Sequence, residues 1–240
     1  MKEYIHGGDI YRHPDVLDFS ANINPLGTPP AVVQAAKDSM EWICHYPDAC
    51  QEKLKQALAA YEQVPVEWLI CGNGAAELIF ALVQAVKPKR ALVMAPTFAE
   101  YAQALEAVGC EVDREILKKE DGFTLQRTIL EELQKEDLQM VFLCNPNNPT
   151  GILINPKLLR EIVTICEKRN IYLVVDECFL DFVSEPEVHT LKGELEGKQY
   201  LFLLKAFTKR YAMAGLRLGY GITSNETLME KMERQLQPWN

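Results

Sequence analysis

No stretch of this sequence is apolar for long enough to span a bilayer, and no two of its seven cysteines form a CxxC pair. Basic residues are in the minority: 25 Lys and Arg stand against 34 Asp and Glu, for a formal net charge of −9. Binding nucleic acid takes clustered Lys and Arg to neutralise phosphates, so that class is excluded; acidity by itself names no partner. The four histidines, His6, His13, His45 and His189, lack metal-ligand spacing, and no metal is assigned. Internal repeats, low-complexity tracts and obvious linkers are missing as well. The N-terminus, MKEYIHGGDIYRHPDVLDF, carries charge and glycine where a signal peptide needs an apolar run. The expectation is a reduced, cytoplasmic chain in which cysteine serves as a small hydrophobe, with no membrane partner.

What is present is an alternation. In 240 residues, 48% of them hydrophobic, there is enough chain for one large α/β domain with a buried core. Apolar β-rich runs lie at Trp68–Cys71, Ala91–Ala95, Met140–Cys144, Tyr172–Val175, Tyr200–Leu204 and Leu218–Ile222. Helical periodicity falls between them, at Ala31–Met40, Cys50–Tyr61, Ala75–Val86, Ala99–Val108, Leu125–Gln134 and Pro156–Arg169. Continuous apolar strands separated by helices predict a three-layer α/β/α fold with a mostly parallel sheet. Residues 1–30, rich in Gly, Pro and Asn, read as an irregular arm, and 31–240 as the single domain. Ligands of such sheets sit beyond the carboxyl ends of the strands, so the polar residues just after each strand are the candidates.

Four such places stand out. Gly72-Asn73-Gly74-Ala75-Ala76-Glu77 opens a helix with small residues, which suits an anion at the helix N-terminus or a plain strand-to-helix turn. Glu77 replaces the third glycine of a dinucleotide fingerprint, which leaves a nicotinamide-binding module as a weak alternative. Asn145-Pro146-Asn147-Asn148-Pro149-Thr150-Gly151 has two Asn-Pro steps that fix an extended turn and can aim an amide. Asp176 follows an apolar strand and needs a cation or a strong donor if it is partly desolvated there. The last is LKAFTKRYAMAGLRLGY, with Lys205, Thr208, Lys209, Arg210 and Arg217. Thr208 precedes Lys209, and Arg217 follows it by eight residues, a setting for a reactive amine beside a phosphate clamp. An anion-binding helix end, an aimed amide, a carboxylate and a lysine with an arginine are together what pyridoxal 5'-phosphate requires.

In this order, GNGAAE, PTF, NPNNPTG, VVDE and TK…GLRLG resemble the fold-type I, aspartate-aminotransferase-like superfamily of pyridoxal phosphate enzymes. The resemblance implies that Lys209 joins the cofactor aldehyde and that Asp176 partners the pyridinium nitrogen. By the same likeness, Asn148 donates to the phenolic oxygen and Phe98 stacks on the ring. Gly74, Ala75 and Ala76 form the phosphate cradle, with Thr208 and Arg217 completing it. Tyr46 matches a tyrosine that reaches the phosphate of the neighbouring subunit, which implies a homodimer. Lys205 stands twelve residues before Arg217, not the family's eight, and is a decoy. Two positions depart from the pattern: Phe179 stands where a tyrosine often donates to the phenolic oxygen, and Ala206 where a serine often meets the phosphate.

His6-Gly7-Gly8, LDFSANINPLG at Leu17–Gly27, Tyr46-Pro47-Asp48, Phe98-Ala99-Glu100-Tyr101 and Phe179 look, more narrowly, like the threonine-phosphate decarboxylases of cobalamin biosynthesis. Those are relatives of the histidinol-phosphate aminotransferases. The likeness implies a phosphorylated amino acid as substrate, touched by His6, Gly7, Asn22 and Asn148; on the residues alone, His6 is an end residue and Asn22 a turn residue. Decarboxylation follows from that likeness only, since the same residues serve transamination. A protein that binds the cofactor with little turnover is a further reading. Family members continue into a smaller C-terminal domain bearing a substrate-gripping arginine, and no residue up to Asn240 takes that role.

Overall fold

The computed structural model describes residues 7–239. His6, one of the expected substrate contacts, lies outside them. Residues 7–29 contain no helix or strand, and then α1 (Pro30–Ser39) and α2 (Glu52–Glu62) lead into the sheet. There follow β1 (Leu69–Asn73), α3 (Ala75–Val86), β2 (Arg90–Ala95), α4 (Ala99–Ala107), β3 (Glu111–Ile116) and α5 (Ile129–Glu132). After them come β4 (Met140–Cys144), α6 (Pro156–Arg169), β5 (Tyr172–Asp176), α7 (Pro186–His189), β6 (Leu201–Ala206), β7 (Leu218–Ile222) and α8 (Glu226–Glu233). Among the described residues no helix is long and apolar enough to cross a membrane.

The seven strands form one sheet in the order β1-β7-β6-β5-β4-β2-β3. Five neighbouring strands, β3, β2, β4, β5 and β6, run parallel, and β7 is antiparallel to both β6 and β1. The mostly parallel α/β sheet expected from the sequence is therefore present. All five residues of β4 are buried, as are four of five in β5, which is the pattern of strands covered on both faces. The glycine turn follows an edge strand whose only neighbour among the described residues is antiparallel, so it is not the opening βαβ unit of a dinucleotide fold.

Four elements differ from the periodicity reading, the one-turn α7 at Pro186–His189 among them. The strand β3, EVDREI, was not expected because its alternating charges suit an exposed edge, where they discourage pairing with another chain. Arg90 staples it to β2 through Asp113, at 2.9 Å. Leu125–Gln134 is helical only at Ile129–Glu132. Leu125, Ile129 and Leu133 are buried at a spacing of four, but turns bonded three residues apart, such as Leu130 to Arg127, achieve this instead of a helix. Finally, α8 was overlooked, although Asn225 caps it by accepting from the Leu228 N–H and Leu228, Met229 and Met232 are its buried face.

A buried polar cluster pins α2 to the sheet. Lys205 on β6 donates to Glu62 Oε1 at 3.1 Å and lies 3.7 Å from Glu177; Lys192 reaches Glu62 Oε2 at 3.1 Å; and the Tyr220 hydroxyl donates to Glu62. Glu177 also accepts from Thr190 and from the Leu191 N–H. Lys205 is thus held as a structural ion between two carboxylates. Burial pushes the Lys205 ammonium down, but Glu177 and Glu62 more than offset this and raise it. The stability it contributes is complete below the ordinary lysine pKa and is lost as pH rises through the raised value. Replacing it by Met leaves a buried carboxylate short of its cation, and Lys205→Met should cost about 3 kcal/mol in urea unfolding at neutral pH. That cost should shrink as the pH climbs through the raised lysine value.

Candidate functional site

The parallel strands deliver their carboxyl ends to one edge of the sheet, and the candidate residues gather there. A cavity of about 120 Å³ is lined by Ala75 and Ala76 from α3, Phe98 before α4, Asn148 after β4, Asp176 and Phe179 from the end of β5 onward, and Thr208, Lys209 and Arg217 after β6. A second cavity of about 340 Å³ shares Asn148 and Phe179 with it and adds Asn22, Ile23, Phe182 and Val183.

At one end the backbone makes a close-packed cradle. Gly74 caps α3 with φ +84°, a left-handed conformation that favours glycine, and a Cβ there would overlap the Arg217 guanidinium. A Cβ on Gly219 would overlap the Ala75 nitrogen. The first N–H groups of α3 and the Arg217 guanidinium thereby converge, and Thr208 is buried beside them. Glu77, which breaks the glycine fingerprint, accepts from the Asn73 N–H at 2.7 Å and steadies the turn.

In the asparagine turn, Asn145 accepts from Ile154 N–H and donates to the His189 carbonyl, while Asn147 donates to the Pro96 carbonyl and Thr150 and accepts from Thr97. Those two amides hold the turn. Asn148 is the one that lines the cavity, with Asn22 donating to it at 3.5 Å.

Asp176 is only 5% exposed. Its Oδ1 accepts from the Cys178 N–H at 2.9 Å and its Oδ2 from the Tyr101 hydroxyl at 2.6 Å. Burial raises its pKa, against the pull of these donors and of the Lys209 charge. Lys209 shows the reverse sign: burial, aided by the Arg217 cation, holds its ammonium below the ordinary lysine value, while Cys178 and Asp176 oppose. Its Nζ donates to the Ala21 carbonyl of the arm at 2.8 Å and sits 5.7 Å from the centre of the Phe179 ring.

The sequence model of the aminotransferase class I and II family matches residues 14–240. The chain belongs to the class I and II aminotransferase family. Among its relatives, a threonine-phosphate decarboxylase from Salmonella typhimurium is 44% identical over 98% of this chain and 66% of its own length. A histidinol-phosphate aminotransferase from Anoxybacillus flavithermus is 32% identical over 96% of this chain and 61% of its own. The crystal structure of the histidinol-phosphate aminotransferase from Clostridium acetobutylicum superposes with a TM-score of 0.85 at 30% identity, covering 94% of this chain and 66% of that one. The chain spans just under two thirds of the length of these relatives.

Members of the class I and II aminotransferase family work with pyridoxal 5'-phosphate, and the residues present fit it. A crowded glycine cradle with a cation suits a phosphate, the aromatic side chain of Phe98 in the lining suits a ring, and a buried carboxylate in the same cavity as a depressed lysine suits a pyridinium and an aldehyde. Phe179 brings no hydroxyl to the cavity and Ala206 none to the cradle.

Gly74, Ala75, Ala76, Phe98, Asn148, Asp176, Thr208, Lys209 and Arg217 all meet at this site, with Asn22 at its outer edge. Two expected residues lie elsewhere within the chain. Tyr46 is 79% exposed with its ring against Trp239, 4.6 Å between centroids. Gly7 packs on the Ser20 backbone in a hollow of the arm. Sequence reasoning missed Tyr101 as a partner of Asp176, and Cys144 and Cys178 as lining residues. The signal for Tyr101 was its place three residues after Phe98, on the same face of a helix, with a hydroxyl that needs a partner if buried.

Because the neutral amine is the nucleophile, a depressed Lys209 should react at lower pH than an ordinary lysine. Borohydride trapping of pyridoxal, which has no phosphate, should level off below the usual lysine range. Arg217→Met removes a cation that depresses Lys209, so the plateau should move to higher pH. Gly219→Ala, which drives a Cβ into the α3 backbone, should weaken pyridoxal phosphate binding at least about tenfold, read by fluorescence titration.

Proposed function

We propose that this chain carries the cofactor site of a pyridoxal phosphate-dependent carboxy-lyase that converts L-threonine O-3-phosphate to aminopropanol phosphate in cobalamin biosynthesis. The observation that carries the reading is the meeting of Lys209, Asp176, Asn148 and Arg217 in one cavity, in a chain 44% identical to a threonine-phosphate decarboxylase. When bound, pyridoxal phosphate supplies an aldehyde that joins amines and a protonated ring that accepts the electron pair left when a bond at the substrate Cα breaks.

The protein's part is to hold and orient. The α3 N-terminus, Thr208 and Arg217 would take the phosphate, and Phe98 the face of the ring. Asp176 would keep a proton on the ring nitrogen, because a carboxylate with its own donors satisfied can still accept one more. Asn148 would donate to the phenolic oxygen, alone, since Phe179 has no hydroxyl. Lys209, whose amine is held below the ordinary lysine value, would be suited to move protons at the substrate Cα. Asn22 and Asn148 border the outer cavity, where a substrate side chain would lie. His6 and Gly7 remain candidates for its phosphate from the likeness alone.

A homodimer accords with the surface. Leu17, Phe19, Leu26, Met40, Trp42, Ile43 and Tyr46 are exposed on the arm and around α1, an apolar surface that a second copy could cover. Tyr46 would then serve the partner's site.

The second reading, an aminotransferase for histidinol phosphate, is favoured by the 32% identical relative and the 30% identical structure. A third reading is cofactor binding with little turnover. The test pairs two assays on protein loaded with pyridoxal phosphate and reducible by borohydride at Lys209. O-phosphothreonine should release CO₂ without a keto acid. Transfer from histidinol phosphate that requires 2-oxoglutarate would replace the lyase reading, and Lys209 adduct without either reaction would leave the binding reading. Modification at another lysine would sink the site.

A further inference from the structure

Asp176 ends β5 in a setting that ought to make it neutral. Its carboxyl is 5% exposed, and the groups that face it are few. From its own loop come the Cys178 N–H and thiol; from β4, the Cys144 thiol; from the loop after β6, the Lys209 ammonium; and from α4, the Tyr101 hydroxyl. Burial keeps both thiols protonated, and the Cys178 thiol donates to the carboxylate alongside Tyr101, so the two side chains share the work of holding it charged. Lys209 hydrogen-bonds elsewhere, to the Ala21 carbonyl. The side-chain hydrogen bond that Asp176 accepts on Oδ2 comes from Tyr101, at 2.6 Å.

Tyr101 is held for that task. Its residue is fully buried, its ring lies parallel to Phe142 of β4 with centroids 4.9 Å apart and 13° between planes, and Phe98 meets it edge-on at 5.6 Å. The phenol is pushed well above its ordinary pKa by burial and by Asp176 beside it, so it remains a donor at every physiological pH. One donor from the Tyr101 side chain and one from the Cys178 backbone fix the plane of the carboxylate and leave further lone pairs for the cavity. A hydrogen bond from a neutral donor to a buried charge is among the stronger kinds.

We propose that Tyr101 is a positioning residue for the cofactor site: its hydroxyl helps keep Asp176 ionised and oriented so that Asp176 can hold a proton on a ring nitrogen. Phe98 and Tyr101 then act as a pair from one turn of α4, the first against the ring and the second behind its carboxylate partner. This rests on the cofactor reading above. Without the hydroxyl, burial acts on Asp176 unopposed on that side and favours the protonated, neutral form, which cannot hold a second proton on the ring.

The test uses the 240-residue chain with pyridoxal phosphate labelled with ¹⁵N in the ring. Tyr101→Phe keeps the ring packing and removes one oxygen. The expected result is borohydride trapping still at Lys209, a ring-nitrogen resonance moved from the protonated toward the neutral position, and affinity for the cofactor reduced roughly tenfold. In the cofactor-free protein the Asp176 carboxyl, followed by ¹³C NMR, should titrate at higher pH in the variant; a purely structural Tyr101 would move stability and neither resonance. Trapping at Lys209 with both resonances unchanged overturns the proposal and spares the cofactor reading. Failure of the unaltered protein to trap at Lys209 overturns both. Should Tyr101→Phe not fold, ring-fluorinated tyrosine at position 101, a stronger donor of nearly the same shape, must move the Asp176 titration to lower pH; no movement rejects the proposal.

Discussion

A carboxylate buried at the end of a central strand sets the terms for everything around it. Asp176 occupies the last position of β5, between β4 and β6, where water cannot solvate its charge. Desolvation alone would neutralise it. The surrounding elements answer that demand from different directions: α4 brings a hydroxyl, the turn after β5 brings an N–H, and the loop after β6 brings a cation. Parallel topology makes this possible, since β2, β4, β5 and β6 all end on the same side and each sends its next residue to the same place. The same geometry lets the start of α3, reached from the far edge strand, face the cation through the close approach of Gly74 and Gly219.

Lys205 and Lys209 show how far environment governs chemistry. They are four residues apart, one in a strand and one in the loop that follows. Lys205 meets Glu62 and Glu177 and is raised; Lys209 is lowered by burial and the Arg217 cation, with its amine on a carbonyl. The first is held charged as a structural ion and the second is eased toward the neutral amine. Burial pushes both the same way, and the difference comes from the sign of the neighbours.

Much of this was legible in the sequence because the information is local. The central strands are continuous apolar runs, and α3 and α6 begin and end where periodicity put them, with Gly74 before α3, Asn155 capping the start of α6 and Asn170 after it in the structure. Site residues that follow strands could be found by asking what comes next. What escaped depends on distance in three dimensions. Tyr101 binds Asp176 across 75 residues, and the Ala21 carbonyl meets Lys209 across 188, and neither pairing leaves a periodic trace. The edge strand β3 escaped for another reason: its charges are an adaptation to exposure, and they erase the apolar signal by which strands are recognised.

The arm illustrates the same point at the active edge. Its described residues have no helix or strand before α1, yet it is tied to the lysine loop by Asn24, which accepts from the Leu26 N–H and donates to the Arg210 carbonyl at 2.8 Å, and by Thr28, which donates to the Ala212 carbonyl at 2.5 Å. The Asn24 N–H also donates to the carbonyl of Lys209 itself. These bonds bring Ala21 over the Lys209 amine and Asn22 over Asn148, so a segment that lacks a core of its own forms one wall of the outer cavity. Irregular backbone survives there because its polar groups are spent on another loop rather than on a ladder. Loss of those ties would therefore be felt first as loss of position at Lys209 and Asn148, while the sheet, whose central strands are buried on both faces, would keep its register.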